Sequence, residues 1–214
     1  MFTRQVRFSN YRDEWIRYRA SDLLDFFSTN SLSWEHLEYS RDGVYNLHYG
    51  VIHQELSNHM DVNTSDLPCV KKEHMPKNYT LCQNGDIAFA DASEDTNDVA
   101  KVIEFLNCDQ KDIVCGLHTI HARDKINVTV EGFKGYAFAS KLFRKQIRRL
   151  AQGTKVYSIT PKTIMECYVD IPSKQEQVKI YKILSSIRNK LATERKFLVQ
   201  LENQKQYLLQ NLFI

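Results

Sequence analysis

The sequence predicts an α+β fold: a globular, mixed β-rich domain followed by one long C-terminal coiled-coil helix. Three observations lead there. Residues 180–212 carry an unbroken 4–3 apolar repeat without proline or glycine. From Tyr39 to about Val130, short apolar runs alternate with turn residues. Between these two regions lies a helical stretch rich in Lys and Arg. A chain of 214 residues with 11 Tyr, 11 Phe and 2 Trp can build one sizeable domain and an appendage. Pro172 divides them, into residues 1–171 and 172–214.

Near the N-terminus, Ser21 or Asp22 caps a short helix at Leu23–Phe27. Tyr45–Tyr49 and Val51–His53 read as strand around Gly50, and Asn58–Pro76 is polar and irregular, a loop. Asn84-Gly85 is a turn signal ahead of the strand Asp86–Ala90. Val99–Leu106 and Ile113–Ala122 are long enough to be buried strands, and His118 and His121, three apart in the second, face opposite ways. Phe133–Ala151 reads as one amphipathic helix, with Phe138, Leu142 and Ile147 inside and Lys141, Arg144, Lys145, Arg148 and Arg149 outside. Gly153 ends it, and Lys155–Ile159 and Met165–Ile171 follow as strands. Directly after Pro172, Ser173-Lys-Gln-Glu176 is a capping box that opens the last helix.

The seam of that helix runs through Ile180, Leu184, Ile187, Leu191, Glu194, Leu198, Leu201, Lys205, Leu208 and Leu212. With Leu184 at heptad position a, Glu194 is a d and Lys205 an a. A narrow apolar stripe needs a partner helix. In an antiparallel pair, a positions meet d positions, and a two-fold axis between residues 199 and 200 sets Glu194 against Lys205 of a second copy. The same axis pairs Leu198 with Leu201, Leu191 with Leu208, and Ile187 with Leu212. A buried polar pair of this kind fixes register at some cost in stability. The expectation is an antiparallel homodimer; the plainer reading is an amphipathic helix whose two polar residues snorkel outward.

Net charge is only +3, but it is unevenly spread. From Gly132 to Met165 there are eight Lys or Arg and no acid, which points one surface towards a polyanion. Five cysteines without a CxxC pair look like small buried hydrophobes in a reducing compartment, not metal ligands or a disulfide frame. The N-terminus lacks the apolar run of a signal peptide and no segment reaches membrane-spanning length, so the expected location is the cytoplasm.

Catalytic motifs are missing: there is no GxGxxG, Walker A or GxSxG. The one Glu-x-Lys of nuclease type, Glu194-Arg-Lys196, falls inside the heptads. His53, His59, His74, His118 and His121 lack helical metal spacing, and no catalytic residue, metal or cofactor is expected in this chain. DNA binding fits better. Arg144, Lys145, Arg148, Arg149, Thr154 and Lys155 are the phosphate candidates, on a basic helix and its glycine exit. Base-reading candidates are Tyr49, His53, Ser93, His118 and Tyr157, placed at strand ends or loops; His118 and Tyr157 have an alternative as core polar residues.

The motifs also carry a resemblance. The opening Val6-Arg-Phe-Ser-Asn-Tyr-Arg-Asp-Glu-Trp15, then Tyr49-Gly-Val-Ile-His53, Gly85–Ser93 and Gly116-Leu-His-Thr119, and finally Gly153–Tyr157 through Ile171-Pro172 to Glu176-Gln177, resemble in order and spacing the DNA specificity (S) subunits of type I restriction–modification systems. The resemblance spans nearly the whole chain. It implies a non-catalytic subunit that reads a split double-stranded DNA target and holds two methyltransferase (M) subunits. Those use S-adenosylmethionine to methylate adenine N6, and restriction (R) subunits join for cleavage. Such subunits carry two recognition domains and two helical regions; this chain has one of each. A homodimer would restore the missing half, with a rod of about 60 Å setting the gap between half-sites. The alternative is a spare or non-functional cassette acting only as a coiled-coil DNA-binding adaptor.

Overall fold

The computed structural model describes residues 2, 7–40, 42–54, 57–95, 98–153 and 155–212. The chain divides into two units, Met1–Val178 and Lys179–Ile214. The first begins with β1 (Ile16–Arg19), α1 (Ala20–Leu23), β2 (Leu24–Phe27), β3 (Leu37–Glu38), β4 (Tyr45–Leu47), α2 (Tyr49–Gln54), β5 (His59–Asp61) and β6 (Cys69–Val70). Then come β7 (Ile87–Ala90), β8 (Ala92–Ser93), β9 (Val102–Leu106), β10 (Ile113–Cys115) and β11 (Thr119–Asp124). It continues with α3 (Phe133–Phe138), α4 (Lys141–Leu150), β12 (Tyr157–Ser158), α5 (Pro161–Met165) and β13 (Tyr168–Ile171). The last helix, α6, runs Lys174–Leu212. The fold is α+β.

Ile87-Ala-Phe-Ala90 and Val102-Ile-Glu-Phe are buried at every position, so the sheet they form must be covered on both faces. That sheet has the order β2-β11-β7-β9-β5, antiparallel except for β5 and β9. Period-two alternation sorts its residues. Ala88, Ala90, Ile103, Phe105 and Met60 join Leu47, Val51, Ile52, Cys69, Ile113 and Cys115 in the main core. This core lies between the large sheet and a second one, of order β10-β4-β6-β3, with α2. On the other face, Phe89 packs edge-on to Phe138 of α3, 5.6 Å between centroids, and stacks on Phe143 of α4 at 6.3 Å.

The start of α3 hangs on a buried carboxylate. Glu104 Oε1 accepts the Gly132 amide and Oε2 the Gly135 amide, both at 2.7 Å, with Lys134 Nζ 3.4 Å away. Burial pushes the Glu104 carboxyl up to about 7, against the pull of Lys134 and the two amides. Gly135 is needed for this approach, because a Cβ there would run into the Asn58 carbonyl oxygen and the His59 ring.

Entry and exit of the unit lie side by side. Strands β1 and β13 pair antiparallel, Ile16 opposite Ile171, and Arg17 bridges Asp170 at 2.9 Å. Arg7 forks onto Glu176, Nε to Oε1 at 2.9 Å and Nη2 to Oε2 at 2.8 Å. Gln177, fully buried, accepts the Val130 amide at 2.8 Å and donates to the Val128 and Pro172 carbonyls at 2.9 and 2.8 Å.

Several elements differ from the sequence reading. The first helix is Ala20–Leu23 and Leu24–Phe27 is strand, because those residues pair with β11. Tyr49–His53 is helical, not extended. Asn58–Pro76 contains β5 and β6, short strands that its polar composition hides. The run Val99–Leu106 is strand only from Val102, and Ala100 turns left-handed at φ 57°. Ile113–Ala122 is two strands, split at a turn where His118 takes φ 56°, so His118 lies in no strand. Phe133–Ala151 is two helices: Ser140 breaks the run and its Oγ accepts the Phe143 amide at 3.3 Å. Phe143 and Ile147 therefore face inward and Leu142 is exposed. Lys155–Ile159 is strand only at Tyr157–Ser158, and Met165 ends α5 rather than opening a strand. Ser173 does cap α6, its Oγ accepting the Glu176 amide at 3.4 Å, but the Glu176 carboxylate serves Arg7.

Helix α6 runs 39 residues without interruption, about 58 Å at 1.5 Å per residue. Ile180, the first residue of the expected seam, is buried and Leu184 half-buried. From Ile187 on the seam side chains are open in the single chain, with Ile187 53 % exposed, Leu191 54 %, Leu198 55 %, Leu201 45 %, Leu208 42 % and Leu212 67 %. Glu194 and Lys205 are also exposed.

Replacing Gly135 by Ala forces a methyl against backbone that cannot yield cheaply. We expect Gly135→Ala to lower stability by about 2 kcal/mol, read as a fall in the midpoint of chemical denaturation.

Candidate nucleic-acid interface

The β4–α2 junction and the β10–β11 turn meet through the backbone, where the Tyr49 amide donates to the Leu117 carbonyl at 3.2 Å. This brings rings together. The Tyr49 ring stands edge-on to His118 at 5.2 Å and to His53 at 6.0 Å, and lies 4.7 Å from His48, which in turn lies 4.4 Å from Trp34. Hydrogen bonds fix the ring orientations. His118 Nδ1 is 3.0 Å from Asp91 Oδ1, and the Asp91 amide donates to the His118 carbonyl at 3.1 Å. His53 Nε2 is 3.0 Å from the Ala92 carbonyl, and Lys101 Nζ donates to the His53 carbonyl at 2.8 Å. One residue further on, Ser93 pairs across β8 and β12 with Tyr157. The five base-reading candidates Tyr49, His53, Ser93, His118 and Tyr157 are thus linked through neighbouring elements.

Electrostatics follow from partial burial. Burial raises the Asp91 carboxyl, which His118 opposes. Burial lowers the buried His48 below its usual range and the nearby His118 adds to this. His118 itself is exposed and Tyr49 half-buried. Rings of this kind, with polar nitrogens at a solvent edge, can stack on bases or reach their hydrogen-bonding edges. Trp34, 45 % exposed at the rim, His48 and Asp91 belong to the same cluster and were not singled out in the sequence. The sequence signal for Trp34 is its place at the end of the polar run Thr29-Asn-Ser-Leu-Ser33.

The basic block does not form one face. On α4, Arg144 is half-buried; burial lowers its pKa, with Asp98 and Asp95 opposing and Arg148 adding to the fall. Its charge is therefore shared with the loop that follows Ser93. Lys145 and Arg149, one step around the helix, line a separate groove of about 240 Å³ with Trp15, Arg17, Tyr168 and Asp170. Arg148, Arg149 and Lys155 are exposed. Of the eight positive residues, Lys134 is buried beside Glu104 and faces no partner outside the unit. Thr154, and Val6 of the opening motif, lie outside the described residues.

Residues 108–203 match the type I restriction modification DNA specificity domain. This match agrees with the resemblance read in the sequence. The specificity domain is a DNA-recognition module and not a catalytic one. No curated protein matches the chain. Among solved structures, a chain from a study of complex assembly and conformational transition of the type I R-M system superposes with a TM-score of 0.60 at 14 % identity, over 94 % of this chain and 45 % of that one. The type I S subunit from M. genitalium gives 0.55 at 17 % identity, over 96 % and 47 %. The HsdS subunit from Thermoanaerobacter tengcongensis gives 0.55 at 13 %, over 98 % and 46 %. The chain spans less than half the length of each of these three chains. Among the described residues no helix is long and apolar enough to cross a membrane.

The two histidines of the β10–β11 segment separate cleanly. His118 is exposed in a left-handed turn, which Asn also tolerates. His121 is fully buried with its Nε2 2.7 Å from Asp86 Oδ2. We expect His118→Asn to leave stability within about 0.5 kcal/mol and His121→Asn to lower it by about 3 kcal/mol, both read by urea titration.

Proposed function

We propose that this chain is the DNA-recognition subunit of a type I restriction–modification complex, reading one half of a split duplex target while partner subunits do the chemistry. The observation that carries the reading is the specificity-domain match over residues 108–203, which includes the turn bearing His118, the basic helix α4, β12 with Tyr157, and most of α6. In this reading the ring cluster around Tyr49 and His118 meets base edges, with His53, Ser93 and Tyr157 beside it. Arg148, Arg149, Lys145 and Lys155 meet phosphates, as do Thr154 and, in part, Arg144. S-adenosylmethionine is bound by the methyltransferase subunits, not by this chain, and restriction subunits complete the complex in the cytoplasm.

A single copy would supply one recognition unit where the related S subunits span more than twice its length. The second copy is recruited by α6. The exposed seam closes on itself about an axis between residues 199 and 200, and the flanking positions agree with this register. On the flanks, where neighbours are staggered from the seam pairs, Arg195 lies beside Glu202 of the other copy, Arg188 beside Leu209, and Phe197 beside Gln204, so no like charges meet. Two identical recognition units about a two-fold imply a palindromic, interrupted target.

Two measurements test this. Reversing Arg148 and Arg149 to Glu together should weaken binding to duplexes of every sequence by about tenfold or more and flatten the salt dependence by about two phosphate contacts; unchanged affinity would remove the phosphate assignment. Exchanging the seam pair, E194K with K205E, should keep the dimer in analytical ultracentrifugation, whereas either change alone sets two like-charged pairs across the seam and should weaken it by about tenfold. Equal dimerisation of all three variants would discard the antiparallel register.

A further inference from the structure

We propose that Cys82, Cys115 and His121 bind one thiophilic d10 cation, Zn2+ in the first instance. The three come from separate places and are assembled by strand pairing. Leu81 bridges Val114, and the Cys82 amide donates to the Ile113 carbonyl at 2.8 Å, which sets Cys82 diagonally across from Cys115 at the end of β10. In β11, His121 stands opposite Ala88, on the sheet face that looks into the main core, and a methyl side chain there leaves room for the imidazole. All three residues are buried and their ligand atoms lie within 4.8 Å of one another.

The geometry is that of coordination. The two sulfurs are 3.6 Å apart. A disulfide needs about 2.05 Å, whereas two thiolates on a tetrahedral zinc, each about 2.3 Å from the metal, sit about 3.8 Å apart. The imidazole is held as a ligand would be. Its Nε2 is 2.7 Å from Asp86 Oδ2, and Asp86 is locked in turn by Arg123 Nε at 2.7 Å, Arg123 Nη2 at 2.8 Å and the Gln83 amide at 2.9 Å. A carboxylate on the far nitrogen fixes tautomer and ring direction in metal-binding histidines. The remaining nitrogen, Nδ1, is buried and makes no hydrogen bond of ordinary geometry, with the Cys82 thiol close by; a cation held there would take the imidazole lone pair in place of a proton. Two thiolates and an imidazole are soft or borderline donors, suited to Zn2+ or Cu+ and not to Mg2+ or Ca2+. Such an ion would tie the four-stranded sheet to the five-stranded one at both ends of the turn that carries His118.

The test uses the full chain, reduced and stripped with a chelator, then titrated anaerobically with Co2+ and with Zn2+. One Co2+ per chain should bind with a thiolate-to-cobalt charge-transfer band and the strong visible absorption of a four-coordinate ion, and Zn2+ should displace it. Cys115→Ser should roughly halve the charge-transfer band and weaken Zn2+ at least tenfold, with His121→Gln weakening it similarly. Cys167→Ser, a buried thiol on the β13 side donating to the Thr163 carbonyl, should change neither. The proposal falls if the wild-type chain takes up no stoichiometric Co2+, Zn2+ or Cu+, if the double variant Cys82→Ser with Cys115→Ser still shows the band, or if intact-mass analysis finds Cys82 and Cys115 joined as a disulfide that excludes metal. DNA binding is scored separately, so either result leaves the recognition reading to stand or fall alone.

Discussion

The first turn of α6 is the point on which the globular unit closes. Gln177 is buried without access to water, yet its amide spends one acceptor and both donors on Val130, Val128 and Pro172. Beside it Glu176, also buried, is neutralised by the fork of Arg7. A buried amide with its partners in place rigidifies a junction; the same group with one partner missing would destabilise it by about 1–3 kcal/mol. Three segments distant in sequence are thereby held together: the N-terminal lead-in, the Val128–Val130 stretch before α3, and the start of the helix. Pairing of β1 with β13 continues this closure through the backbone.

The large sheet uses the same logic inside the unit. Its two faces are sorted by alternate residues, so Glu104 and Phe89 look towards the helices while Ala88, Ile103 and His121 look into the main core. Each polar residue on those faces carries a specific task. Glu104 starts α3 by gathering the Gly132 and Gly135 amides. Asp86, at the head of β7, is kept ionised against its burial by Arg123 and His121, and its pKa lies below the ordinary range. Burial works against the charged His121 ring as well, and Asp86 with Cys82 raises it to about 9. Glu104 with Lys134 and Asp86 with His121 and Arg123 are thus separate polar nodes on opposite faces of the sheet, one under the helices and one between the sheets.

How much of this could be read from the residues varies with the range of the interaction that decides it. The long helix is legible because a heptad repeat is a local pattern that nothing interrupts from Lys174 to Leu212. The strand Ile87–Ala90 after Asn84-Gly85 is legible for the same reason. Leu24–Phe27 is not: its residues suit a helix, and only pairing with β11 makes them strand. The break at Ser140 is hidden because apolar spacing continues across it, and the turn at His118 is hidden because a histidine, not a glycine, takes the left-handed conformation. At the candidate site, loop and strand-end positions mark Tyr49, His53 and His118 in the sequence, but Trp34 and His48 join them only through packing. The grouping of Cys82, Cys115 and His121 has no sequence motif, since two sheets have to register before the three side chains meet.

Because β1 and β13 are hydrogen-bonded neighbours, the polypeptide enters and leaves the globular unit at nearly one point. A unit with this property can be transplanted between helical frameworks with little disturbance of either, since the host needs only two adjacent attachment points. Exchange of one such unit for another would leave the helix beyond Val178 untouched in sequence, so the surface loops of the unit and the face of α6 can change independently.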